Sequence, residues 1–254
     1  MPEMNPLTGL DLLERAFFNT DLLATSYFNR KREEYLATQQ IGLAKPLRDY
    51  PRLLNALHEI HKHRDDHVRS FTKRLREQQQ DYGSCEAVFA EVIVYVGCLR
   101  QLWEGHLTEL ELQTDSHDLR LTRPDETQAF LEVMCIMPNP APGPTGLVRY
   151  QTHTQDEVSS IRQKLFQKIE RGQLSAPREN WAVIELNDTA MTPFTVLSSL
   201  SSGYKIGPQS EGYDWSDSFF HDKRTKHIRG VVYFFVGHYG GRQVLLNPSW
   251  PRSG

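Results

Sequence analysis

The run Trp-Ala-Val-Ile-Glu-Leu at residues 181–186 is the feature that most restricts the fold of this chain. A strand whose apolar residues are consecutive, rather than at alternate positions, suits a sheet covered on both faces, as in a parallel or mixed α/β sheet. Covering layers need chain on either side. At 254 residues, with 39% hydrophobic and 24% charged residues, the chain is long enough for one large domain or two small ones and has an ordinary globular composition.

No apolar stretch approaches the roughly 18–20 residues that span a bilayer. The first twenty residues mix Glu3, Asp11, Glu14 and Arg15 with their apolar members, unlike a signal peptide. A soluble, cytoplasmic protein with no membrane partner is the expectation. Cys85, Cys98 and Cys135 are an odd set without a CxxC pair, so they read as small buried residues rather than disulfide or zinc ligands. The net charge of −3 gives no bulk attraction to nucleic acid, although a local basic face can still provide one.

Up to Gly83 the pattern is helical. Leu10, Leu13, Phe17, Leu22 and Leu23 recur at helical spacing after Thr8, a second helix is expected over residues 30–40, and a long polar helix over residues 52–80. Its neighbourhood is rich in bases: Lys45, Arg48, Arg52, Lys62, Arg64, Arg69, Lys73, Arg74 and Arg76 form either a solvated face or a set of phosphate contacts. His63 and His67 are four apart, but Lys62 and Arg64 lie between or beside them and His58-Glu59-Ile60-His61 is one residue short of the HExxH spacing. A solvent-facing helix is the simpler expectation.

After Gly83 the order changes to a helix over residues 85–100, strands at 106–113, 118–122 and 128–137, a proline-rich connector at 138–145, a helix over 155–171, the strand at 181–186, a short helix at 192–200 and a final hairpin of 228–236 with 242–246. The segment between, residues 204–226, reads as a loop in which Tyr213, Trp215, Phe219, Phe220, His221, Lys223, Arg224 and Lys226 interleave aromatics with bases. That mixture suits base stacking, or packing over the sheet. The expected organisation is a helical region at 1–83 and an α/β domain at 84–254, a mixed central sheet flanked by helices.

The stretch FAEVIVYVGCLRQLWEGHLTELELQTDSHDLRLTRPDETQAFLEVMC resembles the core of the PD-(D/E)XK nuclease superfamily, whose fold is restriction-endonuclease-like. That core has a helix often bearing a glutamate, a hairpin strand with an aspartate and a strand ending in Glu-X-Lys. Glu91, Asp118 and Glu132 stand at the three acidic places, and IRQKLFQKIERGQLSAPRENWAVIEL resembles the helix-then-strand continuation. The resemblance implies a Mg²⁺-dependent nuclease, acting on DNA more readily than RNA in processing or defence. Asp118, Glu132 and the carbonyl of Val133 would hold the metal, with Glu91 as a further ligand.

Phosphodiester hydrolysis calls for a hard cation held by a few carboxylate oxygens and water, which stabilises charge on phosphoryl oxygens and acidifies a bound water. Strand parity puts residue 134 on the same face as Glu132. The family's lysine belongs there, and this chain has Met134, whose thioether can neither donate to a phosphate nor suit magnesium. Lys164 and Lys168, four apart on the next helix, are the replacements to consider, or else plain solvated charges. Asp118 can also be a simple turn residue. Glu132, among Phe130, Leu131, Val133 and Cys135, needs a partner or metal to be buried. A nuclease-derived domain that no longer cuts and serves in binding or assembly is the second expectation.

Overall fold

The computed structural model describes residues 6–18, 22–40, 48–112, 117–137, 155–187, 193–202, 204–205 and 212–250. The expected turn at 114–116, the connector at 138–145 and Lys45 lie outside the described residues. The chain divides into two units, one comprising Met1–His106 with Val236–Gly240 and the other Leu107–Phe235 with Gly241–Gly254.

The first unit is helical: α1 (Pro6–Phe17), α2 (Tyr27–Gln40), α3 (Tyr50–His63), α4 (Asp65–Glu77) and α5 (Tyr82–Trp103). Leu10 and Leu13 of α1 are buried as their spacing predicts, but the helix stops before Leu23, which is half exposed. The single helix expected over 52–80 is two helices, broken at Arg64 (φ −146°, ψ 74°). Charges at the break explain it. His61, Lys62 and His63 fill the last turn of α3, while Asp65 and Asp66 fill the first turn of α4, each suiting the dipole of its own helix end.

Helix α5 belongs to this unit, so the structural division falls at 106/107, later than the change of pattern at Gly83. The helix is buried round most of its circumference, from Cys85 to Leu99, rather than along one stripe. Contrary to the expectation that no apolar stretch approaches membrane-spanning length, it is the one described helix long and apolar enough to cross a membrane, and 72% of its apolar window is buried inside the protein. Its Glu86 is neutralised within the unit: Arg48 Nη2 lies 2.7 Å from Glu86 Oε2, and the Tyr27 hydroxyl donates to Oε1 at 2.5 Å. Burial next to that carboxylate pushes the Tyr27 and Tyr50 hydroxyls well above their usual range.

The second unit is built on strands β1 (Glu109–Leu112), β2 (Leu119–Thr122), β3 (Gln128–Ile136), β4 (Asn180–Leu186), β5 (Tyr204–Lys205), β6 (Gly212–Tyr213), β7 (Ile228–Phe235) and β8 (Gln243–Leu246), with helices α6 (Gln155–Glu170) and α7 (Pro193–Leu200). Six strands form one mixed sheet in the order β1-β2-β3-β4-β7-β8, and β5 pairs with β6 separately. β1, β2 and β3 make an antiparallel meander. β4 lies parallel to β3 on one side and to β7 on the other, and β8 returns antiparallel to β7. The apolar run at 181–186 is therefore the inner strand it was expected to be. An α/β fold with a mixed sheet and an N-terminal helical region is the architecture of the chain.

One sheet face carries Met134, Ile136, Ala182, Ile184, Leu186, Val231 and Tyr233, packed with Ile161, Leu165 and Ile169 of α6. The alternate positions Val133, Cys135, Val183, Glu185, Val232 and Phe234 are buried on the opposite face. The expected loop at 204–226 contains the β5–β6 pair and two 3-10 turns, and its Phe219 and Phe220 are buried in the α6-side core. All three cysteines are buried thiols outside any disulfide, and burial pushes the Cys85 thiol up to about 12.

Candidate functional site

The β2–β3 pairing begins with Leu119 opposite Leu131. One residue before it, Asp118 clasps β3 at two points on either side of Glu132. Its amide donates to the Leu131 carbonyl at 3.0 Å, and its Oδ2 accepts from the Val133 amide at 2.7 Å. The backbone groups of 129, 131 and 133 point toward β2, since those of alternate residues share a direction. The carboxylate thus takes the Val133 hydrogen bond that a longer β2 would have taken with a carbonyl. Asp118 caps the end of β2 against β3, while the turn it was expected to close falls on residues outside those described.

Glu132 projects from the α6-facing side and its side chain is fully buried. Lys168 supplies the counter-charge, its Nζ 2.5 Å from Glu132 Oε1, and Gln173 Nε2 donates to the same oxygen at 2.9 Å. Local chain geometry unites these two donors. Gly172 ends α6 in the left-handed region (φ 86°), its amide donating to the Ile169 carbonyl, while the Gln173 amide reaches back to the Lys168 carbonyl. This pair of bonds is a Schellman cap. The cap folds residue 173 back beside residue 168, so both side chains meet the same carboxylate. Ile161, Leu165 and Ile169 hold that helix on the sheet, which leaves Lys168 on the flank of the apolar stripe with about a quarter of its side chain exposed.

Arg178 completes the surroundings. Its guanidinium lies 4.1 Å from the Phe130 ring centroid, Nε donates to Asn180 Oδ1 at 3.1 Å, and Nη2 is 3.0 Å from His117 Nδ1. Desolvation lowers its pKa, and the negative charge of Glu132 opposes that shift. The buried His117 meets the same phenyl ring edge-on. The result is a carboxylate enclosed by an ammonium, an amide and a nearby guanidinium.

The remaining expected residues divide sharply. Glu91 is held by Arg74 of the helical unit in a two-pronged ion pair of 2.5 and 2.6 Å, so its buried charge already has a counter-ion. Lys164 is exposed, and Lys168 is the lysine that meets Glu132. Met134 shares the face of Glu132 but packs in the core with Ile161 and Leu165, instead of lining a cleft.

Sequence reasoning passed over Gln173 and Arg178, which follow the helix in a stretch with no motif of its own. It also passed over Glu185, fully buried on β4 in register with Cys135. The signal for Glu185 was present, a charge inside an apolar strand, the same signal that singled out Glu132.

Several basic and aromatic candidates are committed elsewhere. Arg48 is buried against Glu86, which removes it from any phosphate-binding face, and Arg74 is engaged with Glu91. His67 is buried rather than solvent-facing, its Nδ1 2.6 Å from the Tyr95 hydroxyl, while His63 lies on the other side of the Arg64 break against Trp103. Arg224 stacks on Phe166 at 3.9 Å and pairs with Asp222.

Comparison of the chain with family models, with curated proteins and with solved structures found no match.

Asp118, Glu132 and the Val133 carbonyl offer only oxygen donors on two adjacent strands. Such a donor set fits a hard divalent cation, magnesium among them, and would suit softer metals poorly. Hydrogen bonds hold both carboxylates, and the Lys168 ammonium is brought to Glu132.

Proposed function

We propose that residues 107–235 and 241–254 form a restriction-endonuclease-like domain for Mg²⁺-dependent hydrolysis of phosphodiesters, with DNA as substrate. The observation that carries this reading is the meeting of Lys168 with Glu132. It supplies from α6 the ammonium that Met134 denies to β3. The order of three antiparallel strands, α6 and a parallel β4 within this unit supports the same reading, since it matches the strand-and-helix part of the superfamily core that the sequence resembles. In this proposal Asp118 and Glu132 hold the cation with the Val133 carbonyl, and Lys168 orients or activates water. The reduced, buried cysteines accord with a cytoplasmic setting, and a role in DNA processing or defence belongs to the same proposal.

The test is cleavage of single- and double-stranded DNA and RNA by the purified full chain with Mg²⁺ or with chelator. Mg²⁺-dependent cleavage of DNA is expected, abolished in Glu132→Ala and in Lys168→Ala. Cleavage that survives Glu132→Ala overturns the assignment. A second reading, a nuclease-fold domain that binds or assembles without cutting, is favoured by the complete burial of the Glu132 side chain and by the tie of Asp118 to the Val133 amide. Binding of DNA without any cleavage selects it.

A further inference from the structure

We infer that Lys168 is an internal substitute for the divalent cation, one that metal must eject from Glu132 on binding. The inference rests on the metal-dependent reading above and adds a competition to it. A carboxylate with no exposed surface is costly to keep charged unless a counter-charge touches it. Lys168 is that counter-charge, at 2.5 Å from Oε1, and Gln173 donates to the same oxygen. A cation coordinated by Glu132 would lie within a few ångströms of the ammonium, where two positive charges repel strongly in so dry a place. The ammonium has to give up Oε1 to the metal, and from beside it still reaches the water or phosphate it acts on in the proposed reaction.

Lys168 is built to leave. Its side chain is about one-quarter exposed, and a lysine head on a four-carbon stem can swing toward water while its backbone stays in the helix. Gln173 need not leave, because an amide can turn and present its oxygen instead of its NH₂. The competition has an unusual sign. A lysine that occupies the metal's place raises affinity when removed, even though cleavage is lost. Removing a nearby lysine that acts only on water or phosphate also relieves some repulsion of the metal, so displacement is read from the labelling of Lys168 together with affinity.

The experiment is calorimetric titration of the full chain with Mg²⁺, and with Mn²⁺ followed by electron paramagnetic resonance, without nucleic acid. Native protein, Lys168→Met and Glu132→Gln are compared. Lys168→Met is expected to bind both ions more tightly, by on the order of tenfold, and Glu132→Gln to bind neither. A second measurement uses the native protein alone, so that it does not depend on how a variant folds. Amine acylation read by peptide mass spectrometry should label Lys168 more in Mg²⁺ than in chelator, with Lys164 as the exposed reference.

Equal or weaker metal binding by Lys168→Met, or Lys168 labelling that ignores Mg²⁺, overturns the inference. So does the absence of metal binding from both native protein and Lys168→Met. Mg²⁺-dependent cleavage without the labelling response preserves the nuclease reading and removes this one. The labelling response without cleavage preserves the competition and moves the function to metal-dependent binding.

Discussion

Arg74 and Glu91 form a two-pronged ion pair inside the helical unit, with both guanidinium nitrogens on the two oxygens of a carboxylate that is only 3% exposed. A helix-borne glutamate at this place suggested a metal ligand. Its neighbours make it instead a structural anion that ties α4 to α5.

Removing the cation should therefore affect stability before it affects any chemistry. Arg74→Met leaves the Glu91 charge buried opposite an apolar stem, and about 3 kcal/mol of stability should be lost, toward the lower end for a broken buried pair because Arg74 is partly exposed. Denaturant unfolding at neutral pH measures it. Replacing both residues, Arg74→Met with Glu91→Leu, should recover much of the loss. A double variant as unstable as Arg74→Met would contradict the ion-pair account.

Much of the architecture was legible because it depends on local pattern. The inner strand at 181–186, the meander and the closing hairpin follow from side-chain period and turn residues, which act over a few positions. The break at Arg64 was less visible, since Ile60 and Val68 continue one helical stripe across it and only the opposed end charges betray it. The pairing of Arg48 with Glu86 was invisible for another reason: the partners are 38 residues apart and no local rule joins them. At the site, an apolar setting marked Glu132 as a charge needing a partner. The choice of Lys168 over Lys164 depended on how α6 sits on the sheet and on its cap at Gly172, which periodicity alone does not determine.

Asp81 offers a pH-dependent test. It caps α5, accepting from the Ser84 amide at 3.1 Å and from the Ser84 hydroxyl at 2.9 Å, and these bonds hold its carboxyl below the usual value. A depressed folded-state pKa means that the contribution is complete above the unfolded value near 3.9 and fades as pH falls through the folded one. Asp81→Ala should cost about 1 kcal/mol at pH 7. The gap between native and variant protein should narrow below about pH 4. Urea unfolding at pH 7, 4 and 3 follows it, and a gap that widens with acid would refute the capping role.

Gly230 lies where β7 is crowded from two sides. A Cβ there would stand 2.6 Å from the Leu245 carbonyl oxygen and 2.8 Å from the Trp181 ring. The first contact is backbone of the neighbouring strand, so relief requires β8 to shift rather than a side chain to turn. Gly230→Ala should destabilise the second unit by about 2 kcal/mol, seen as a lower thermal midpoint. Protection of the β8 amides from hydrogen exchange should fall first, because they are the ones displaced. Unchanged exchange in β8 would count against this packing.

Asp118 can be separated into its charge and its hydrogen bond. An asparagine keeps an oxygen for the Val133 amide, whereas alanine leaves that amide unmatched at the end of β2. Asp118→Ala should therefore cost about 1–2 kcal/mol, and Asp118→Asn much less. Metal binding should respond differently, because a neutral amide oxygen is a poorer ligand for a hard cation than a carboxylate. Asp118→Asn should lose Mg²⁺ affinity while remaining nearly as stable as native protein. If both variants keep native metal affinity and differ only in stability, Asp118 is a strand cap alone, and the metal set has to be drawn from Glu132 without it.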